Sequence, residues 1–455
     1  MSDHRRSPES GLPRLSRRRT FGLAGGALAL GAGGLWRPGN ARASTSIVSY
    51  SPAGQRWEFP QRAIYPMFQE VQPDIAVQFV AEPIADMLPK AAVALGARST
   101  AYDTIYTDYN FVPQFIAQGA LEPIEPFLDE DPDFKADILA DIPENVLDLY
   151  RDKPAAEGGQ LYGLPPDSNT QLQYWRSDVF AEHDIEGPAT NWEEAIEIAA
   201  TLARNGERRT GSTLRRGLWA GGVFITLLRS HGGDWFDHMG PGGWQPTLDT
   251  EEGAMAFDVL MRLLPHLDPT SFNASDDEAN TAMLAGSWAY APVQWGGSTM
   301  NDPNFTEYYD VWEVTTVPAG ANPEGRVAPH MGGLGFVIPV FSQNKEAAWE
   351  WVKFCNYGPE QDPAVAEAWV EGTGQPARLS MLEGFMDMRP YFQALLDSLP
   401  TAVRYLPIPE SNALYELVGT EVAAVVTGAK QPAAALAEMQ TRVTRTMERG
   451  GYYRS

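Results

Sequence analysis

YDTIYTDYNFVPQFIAQGALEPIEPFL, residues 102–128, reads as a short strand, a loop bearing Asp108 and Asn110, and a helix closed at Gly119. Isoleucine, tyrosine and threonine suit a strand, and a glycine after the last apolar helical position is a usual stop. Upstream, STSIVSYSPAG (44–54) and IAVQFVAE (75–82) read as two further strands. Between them, RAIYPMFQEVQP (62–73) reads as a helix ended near Pro73, and MLPKAAVALGA (87–97) as one starting after Pro89. The order β-α-β-α-β implies a doubly wound α/β layer. Ligands of such sheets sit at the carboxyl ends of strands, so the loops at 51–57, 82–86 and 108–110 are the places to search.

Further along, Pro165 and Pro166 interrupt GGQLYGLPPDSNTQLQYWRSDVF (158–180), which reads as a turn and an extended stretch. TNWEEAIEIAATL (190–202) reads as a helix with Thr190 and Glu193 as a capping box. Ser342 is expected to cap the helix that follows it, with Cys355, the single cysteine, on that helix's apolar face as an inert core thiol.

The first 43 residues have the layout of an export signal: arginines, a small-residue apolar stretch from Phe21 to Trp36, then Ala41-Arg42-Ala43. Arg18-Arg19 before Thr20-Phe21 resembles a twin-arginine signal. No cysteine follows, so no lipid anchor on an N-terminal cysteine is expected, and the product is expected to be periplasmic. The chain carries a formal net charge of −25, and the signal holds eight of its arginines, so its removal leaves a more acidic protein. Such a surface repels nucleic acid and anionic membranes.

Catalytic signatures are absent. There is no Gly-x-Ser-x-Gly elbow, and Ser342-Gln-Asn-Lys345 lacks the companion motifs of a serine-lysine enzyme. GGLGFVIP lacks dinucleotide-loop spacing. DEDPD (129–133) lacks the glycine and terminal glutamate of a calcium loop. HGGDWFDH (231–238) gathers two histidines and two aspartates but matches no zinc spacing. No metal and no cofactor are expected.

Six blocks in order carry a resemblance: residues 102–128; GQLYGLPPDSNTQLQYWRSDVF; TNWEEAIEIAATL; SHGGDWF (230–236); AMLAGSWAYAPVQW (282–295); and MGGLGFVIPVFSQNKEAAWEWVKF (331–354). Together they resemble the extracellular solute-binding proteins of ABC importers, in the carbohydrate-binding family that includes maltose-binding protein. The resemblance implies a type II-like two-lobed α/β fold with a hinge and an interlobe cleft. One lobe would take 44–165 and 317–357, the other 168–316 and 358–455, with hinge strands near 165–168 and 313–318. It also implies a monomer that captures a mono- or oligosaccharide or polyol and hands it to the permease subunits.

By the same resemblance Trp295 faces the cleft, where an indole can cover the apolar face of a sugar ring, whereas Trp288 lies within the strand as core. Weaker candidates are Gln55, Arg56, Asp108, Asn110, Asp167 and Asn169, together with Trp219, Gly332 and Gly333. Two alternatives stay open: the same fold binding a glycerol phosphodiester, polyamine or peptide, and a periplasmic glycoside hydrolase with two carboxylates across one bond.

Overall fold

Nine strands among the described residues sort into two sheets, and the path of the chain between them shapes the molecule. The computed structural model describes residues 45–453, apart from 205, 241, 296, 298 and 405. The expected export signal, residues 1–43, lies outside the described residues.

The first sheet begins with β1 (Thr45–Pro52), β2 (Ile75–Glu82) and β3 (Thr104–Asp108), with β1 parallel to both neighbours. β4 (Gly163–Leu164) ends the first excursion. The second sheet holds β5 (Asn169–Arg176) between β6 (Tyr290–Trp295) and β7 (Trp312–Thr316), all antiparallel. β8 (Met331–Gly332) pairs with the start of β5. β9 (Leu334–Val337) then returns to the first sheet between β3 and β4. The strand orders are β2-β1-β3-β9-β4 and β6-β5-β7.

Two expected boundaries move. The chain does not change sheets at 313–318, because β7 pairs with β5 along its length and Ala319 pairs with Asn191 beyond it. The change comes at Gly333, between β8 and β9, where φ is +134° and a Cβ would stand 2.8 Å from the Asp167 carbonyl. Only glycine makes that turn without strain. The boundary at 357/358 also fails, since the helix Pro363–Glu371 packs on the helix Glu58–Val71 beside the first sheet. Arg378 and Ser380 still bond Asp141, and only the helix Tyr391–Ser398 packs on β5 and β7. An apolar run announces a strand but not the sheet it joins, so neither boundary could be read from the pattern.

Local chemistry explains smaller shifts. Asn191, rather than Thr190, caps the helix Trp192–Leu202 by accepting from the Glu194 amide at 3.1 Å. Asn344 precedes the helix Lys345–Phe354, while Ser342 Oγ donates to Asp103 at 2.6 Å. The helix expected after Pro89 begins at Ile84 and contains that proline. Cys355 is buried, and burial pushes its thiol well up.

Trp288 stands just before β6 rather than in it, yet it is 0% exposed, and its Nε1 donates to Thr270 Oγ1 at 3.1 Å. Its ring lies so close to Gly211 that a Cβ there would be 1.9 Å away. Trp288→Ala should therefore destabilise the ligand-free protein by about 3–5 kcal/mol, the usual cost of emptying a large aromatic site. Urea unfolding measures this, and a loss under about 1 kcal/mol would show that the ring is not core.

Candidate functional site

Where the loops of the two sheets face each other lies a cavity of about 560 Å³. Small-molecule sites fall in the range of roughly 300–1,000 Å³. From the loop after β1 come Arg56 and Trp57; from the end of β3 comes Asp108. Asp167 and Asn169 come from the passage between sheets, with Gly332 and Gly333 on the return. Trp219 enters from the start of the helix Leu218–Ser230, and Trp295 from the end of β6. Eight of the ten residues singled out in the sequence thus line one cavity.

Gln55 and Asn110 do not. The Gln55 carbonyl accepts from Thr373 Oγ1, and the residue is not part of the cavity wall. The Asn110 side chain is buried. It accepts from Ser411 Oγ at 2.6 Å and donates to Asn412 Oδ1 at 3.2 Å, tying the β3 loop to the helix Ser411–Val426.

An ion pair crosses the cavity. Arg56 Nη2 stands 2.8 Å from Asp276 Oδ2, the first residue of the helix Asp276–Leu284, and both side chains are buried. Gln294 of β6 donates to the other Asp276 oxygen at 3.0 Å. The guanidinium also lies 4.7 Å from the Trp57 ring. Burial works against the Arg56 charge, and Asp276 and Asp167 sustain it. Burial pushes the Asp276 carboxyl up to about 6 although Arg56 opposes the shift.

The other two carboxylates lack such a partner. Asp167 is 2% exposed; its Oδ1 accepts from the Leu334 amide at 3.0 Å, and its Oδ2 meets no donor among the described residues. Burial pushes it up to about 7, against Arg56 and the Leu334 amide, with Asp108 adding to the rise. Asp108 is likewise pushed up to about 7 by burial, relieved only by the Asn110 amide at 2.8 Å.

Trp295 is 8% exposed, and its ring lies against Gly332, where a Cβ would be 2.5 Å away. Behind it His330 sits 5.7 Å off, ring to ring. His330 Nδ1 is 3.0 Å from the Met331 carbonyl, so that nitrogen carries the proton, and Nε2 accepts from Tyr415 Oη at 2.5 Å. Burial holds this imidazole down to about 3, so it stays neutral.

Sequence reasoning missed Trp57, Asp276, Arg215, Arg216, Asn412 and Glu416 in the wall. Trp57 lies inside the loop marked for search and adds a buried ring whose Nε1 finds no acceptor among the described residues. Asp276 carries no sequence signal that separates it from the other acids. The histidine-aspartate loop at 231–238 is spent on structure, since His231 Nδ1 bonds the Leu227 carbonyl and Asp234 pairs with Arg229 at 3.0 Å.

Residues 51–356 match the model of a family described as bacterial extracellular solute-binding protein. A mannitol-binding protein of Pseudomonas aeruginosa is 25% identical over 411 residues, covering 85% of this chain and 89% of its own. Among solved structures, a maltose-bound MalE3 of T. maritima superposes with a TM-score of 0.77 at 18% identity, over 88% of this chain and all of that one. An ABC transporter solute-binding protein from Agrobacterium vitis with bound D-mannitol gives 0.76 at 20% identity, over 90% and 100%. These likenesses establish the two-lobed α/β fold.

The carboxylates make a testable pH dependence. Asp108, Asp167 and Asp276 are all held above the unfolded value of about 3.9. The folded chain therefore keeps protons that the unfolded chain has lost. Their contribution is full below about pH 4 and is lost as pH rises through 6 to 7. The urea midpoint of the ligand-free protein should fall between pH 5 and pH 8. The double variant Asp108→Asn/Asp167→Asn should show a shallower fall, and an equal fall in both proteins would reject this source.

Proposed function

Because the chain belongs to the bacterial extracellular solute-binding proteins, we propose that it captures a sugar or polyol between its lobes and delivers it to an ABC permease. The observation that carries the choice of solute is that two residues of the cavity wall each hold a polar atom with no partner among the described residues. Asp167 Oδ2 needs a donor, and Trp57 Nε1 needs an acceptor. A hydroxyl is both at once. The rings of Trp57, Trp219 and Trp295 offer faces for the C–H surface that separates hydroxyls in such solutes. The mannitol-binding relative and the maltose- and mannitol-bound structural neighbours support the same reading.

An anionic solute such as a phosphodiester fits less well. Arg56, the buried cation, is engaged by Asp276, and Asp108 and Asp167 would repel an anion. We assign no turnover to the site: it captures by closing the lobes about a hinge, and the permease reads the closed form. In this proposal one lobe comprises the first sheet, 44–165, with 334 to about 380. The other comprises 169–332 and the residues from 391 onward. The hinge passes through 165–168, 333 and the segment after 380. Residues 1–43 act as a twin-arginine signal, and the mature protein works as a periplasmic monomer without a lipid anchor, metal or cofactor.

A thermal-shift screen of sugars, polyols, amino acids and phosphodiesters tests the assignment. A solute at a hundred times its Kd adds about 2.7 kcal/mol to the folded state, an easily read shift. A sugar or polyol should give it, and Trp295→Ala should abolish it. A shift with phosphodiesters alone would overturn the solute class. Sustained release of nitrophenol from chromogenic glycosides would overturn capture without turnover.

A further inference from the structure

The deep end of the cavity holds more carboxyl groups than cations. Asp276 and Arg56 neutralise each other across 2.8 Å. That leaves Asp108 and Asp167, which meet at one residue: Leu334 is the β-pairing partner of Asp108 and donates its amide to Asp167 Oδ1 at 3.0 Å. Asp167 lines the cavity with a side chain almost wholly buried, and its Oδ2 meets no donor among the described residues. Asp108 is answered by a single amide and by no cation. The remaining cations of the wall, Arg215 and Arg216, stand exposed at its rim. There Arg215 faces Glu278 at 3.8 Å, and Arg216 Nε donates to Thr420 Oγ1 at 3.3 Å, with Glu416 on the same wall. The rim is balanced, and the floor is not.

Two ionised carboxylates whose nearest cation, Arg56, is already paired with Asp276 are expensive in a closed, dry cleft. Hydroxyls of a neutral solute would bond them but leave both charges facing one another. An ammonium supplies three donors and the missing charge together. The electron-rich faces of Trp57 and Trp295 on the same wall also favour a cation. Resting on the sugar-or-polyol reading above, we propose that the solute carries a basic nitrogen, as an amino sugar or aminated polyol, with its ammonium seated between Asp108 and Asp167. The hydroxylated remainder then lies along the tryptophans toward Arg215 and Arg216.

Isothermal titration of the whole mature protein at pH 7.5 with near-isosteric pairs tests this. The pairs are D-glucosamine with D-glucose, and D-glucamine with D-glucitol. The amine of at least one pair should bind about tenfold tighter than its neutral partner, or more, a difference of about 1.4 kcal/mol. N-methylation, which keeps the charge, should keep the advantage, and N-acetylation, which removes it, should lose it. In Asp167→Asn the ratio within a pair should fall to near one, with circular dichroism confirming the fold. The N-substituted series on the wild-type protein stands without that variant. Neutral partners that bind as tightly as the amines, or more so, overturn the amine assignment and leave the sugar-or-polyol reading in place. If no member of any pair binds, the amine assignment is overturned, and the thermal-shift screen above decides the sugar-or-polyol reading.

Discussion

The contact between Arg56 and Asp276 joins residues 220 positions apart, one from the loop after β1 and one from the helix before β6. It is the constraint on which the cleft depends. A buried ion pair earns little net stability, because desolvating two charges costs nearly what their attraction returns. Its value here is alignment. Only one register of the two sheets puts the guanidinium on Asp276, the Gln294 amide on the other Asp276 oxygen, and the Trp57 face beside the cation. A register off by one side chain would bury two unpaired charges. The pair thus selects this arrangement of the two sheets more than it strengthens it.

The passage between sheets is the second constraint, and it shares residues with the cavity. Asp167 pairs its backbone with Pro376, gives one carboxylate oxygen to the Leu334 amide, and faces the cavity. Gly333 turns against the Asp167 carbonyl, and Gly332 lies under Trp295. In the proposed capture, solute contacts at Asp167 and Trp295 would therefore act directly on the segments proposed as the hinge. No relay through the core is needed to couple occupancy to closure, since the floor of the site and the crossing strands are the same atoms.

Much of this was legible in the chain because it rests on local chemistry. The strand-loop pattern at 102–128 and 158–180 placed Asp108, Asp167 and Asn169 near strand ends, and eight residues marked from the sequence meet at one cavity. The family resemblance, counted from Gly286, separated Trp295 from Trp288, although Trp288 sits ahead of the strand. What stayed hidden depends on pairing at long range. Asp276 is one of 59 acids, and nothing near it in sequence says that a buried arginine waits opposite. Asn110 has the residue type of a ligand contact, but its amide is consumed by Ser411 and Asn412, which arrive 300 positions later. The crossing at Gly333 was hidden by β7, whose threonine- and valine-rich sequence suits either sheet.

The wall draws on both halves in nearly equal measure: Trp57, Leu88 and Phe111 beside the first sheet, Trp219, Trp295 and Asn412 beside the second. Neither half alone can bury a solute, so affinity is affinity for the closed form. If the closed form holds only a fraction of the unliganded population, the observed Kd is weakened by that fraction. In the proposed capture, the Arg56–Asp276 pair and the Asn110 clasp would favour closure without a solute, while Asp108 and Asp167, once ionised, would oppose it. The solute that relieves this opposition gains twice. It makes its own hydrogen bonds, and it removes the one feature of the cleft that resists closing. Selectivity then resides less in how many contacts a solute makes than in whether it answers those two carboxylates.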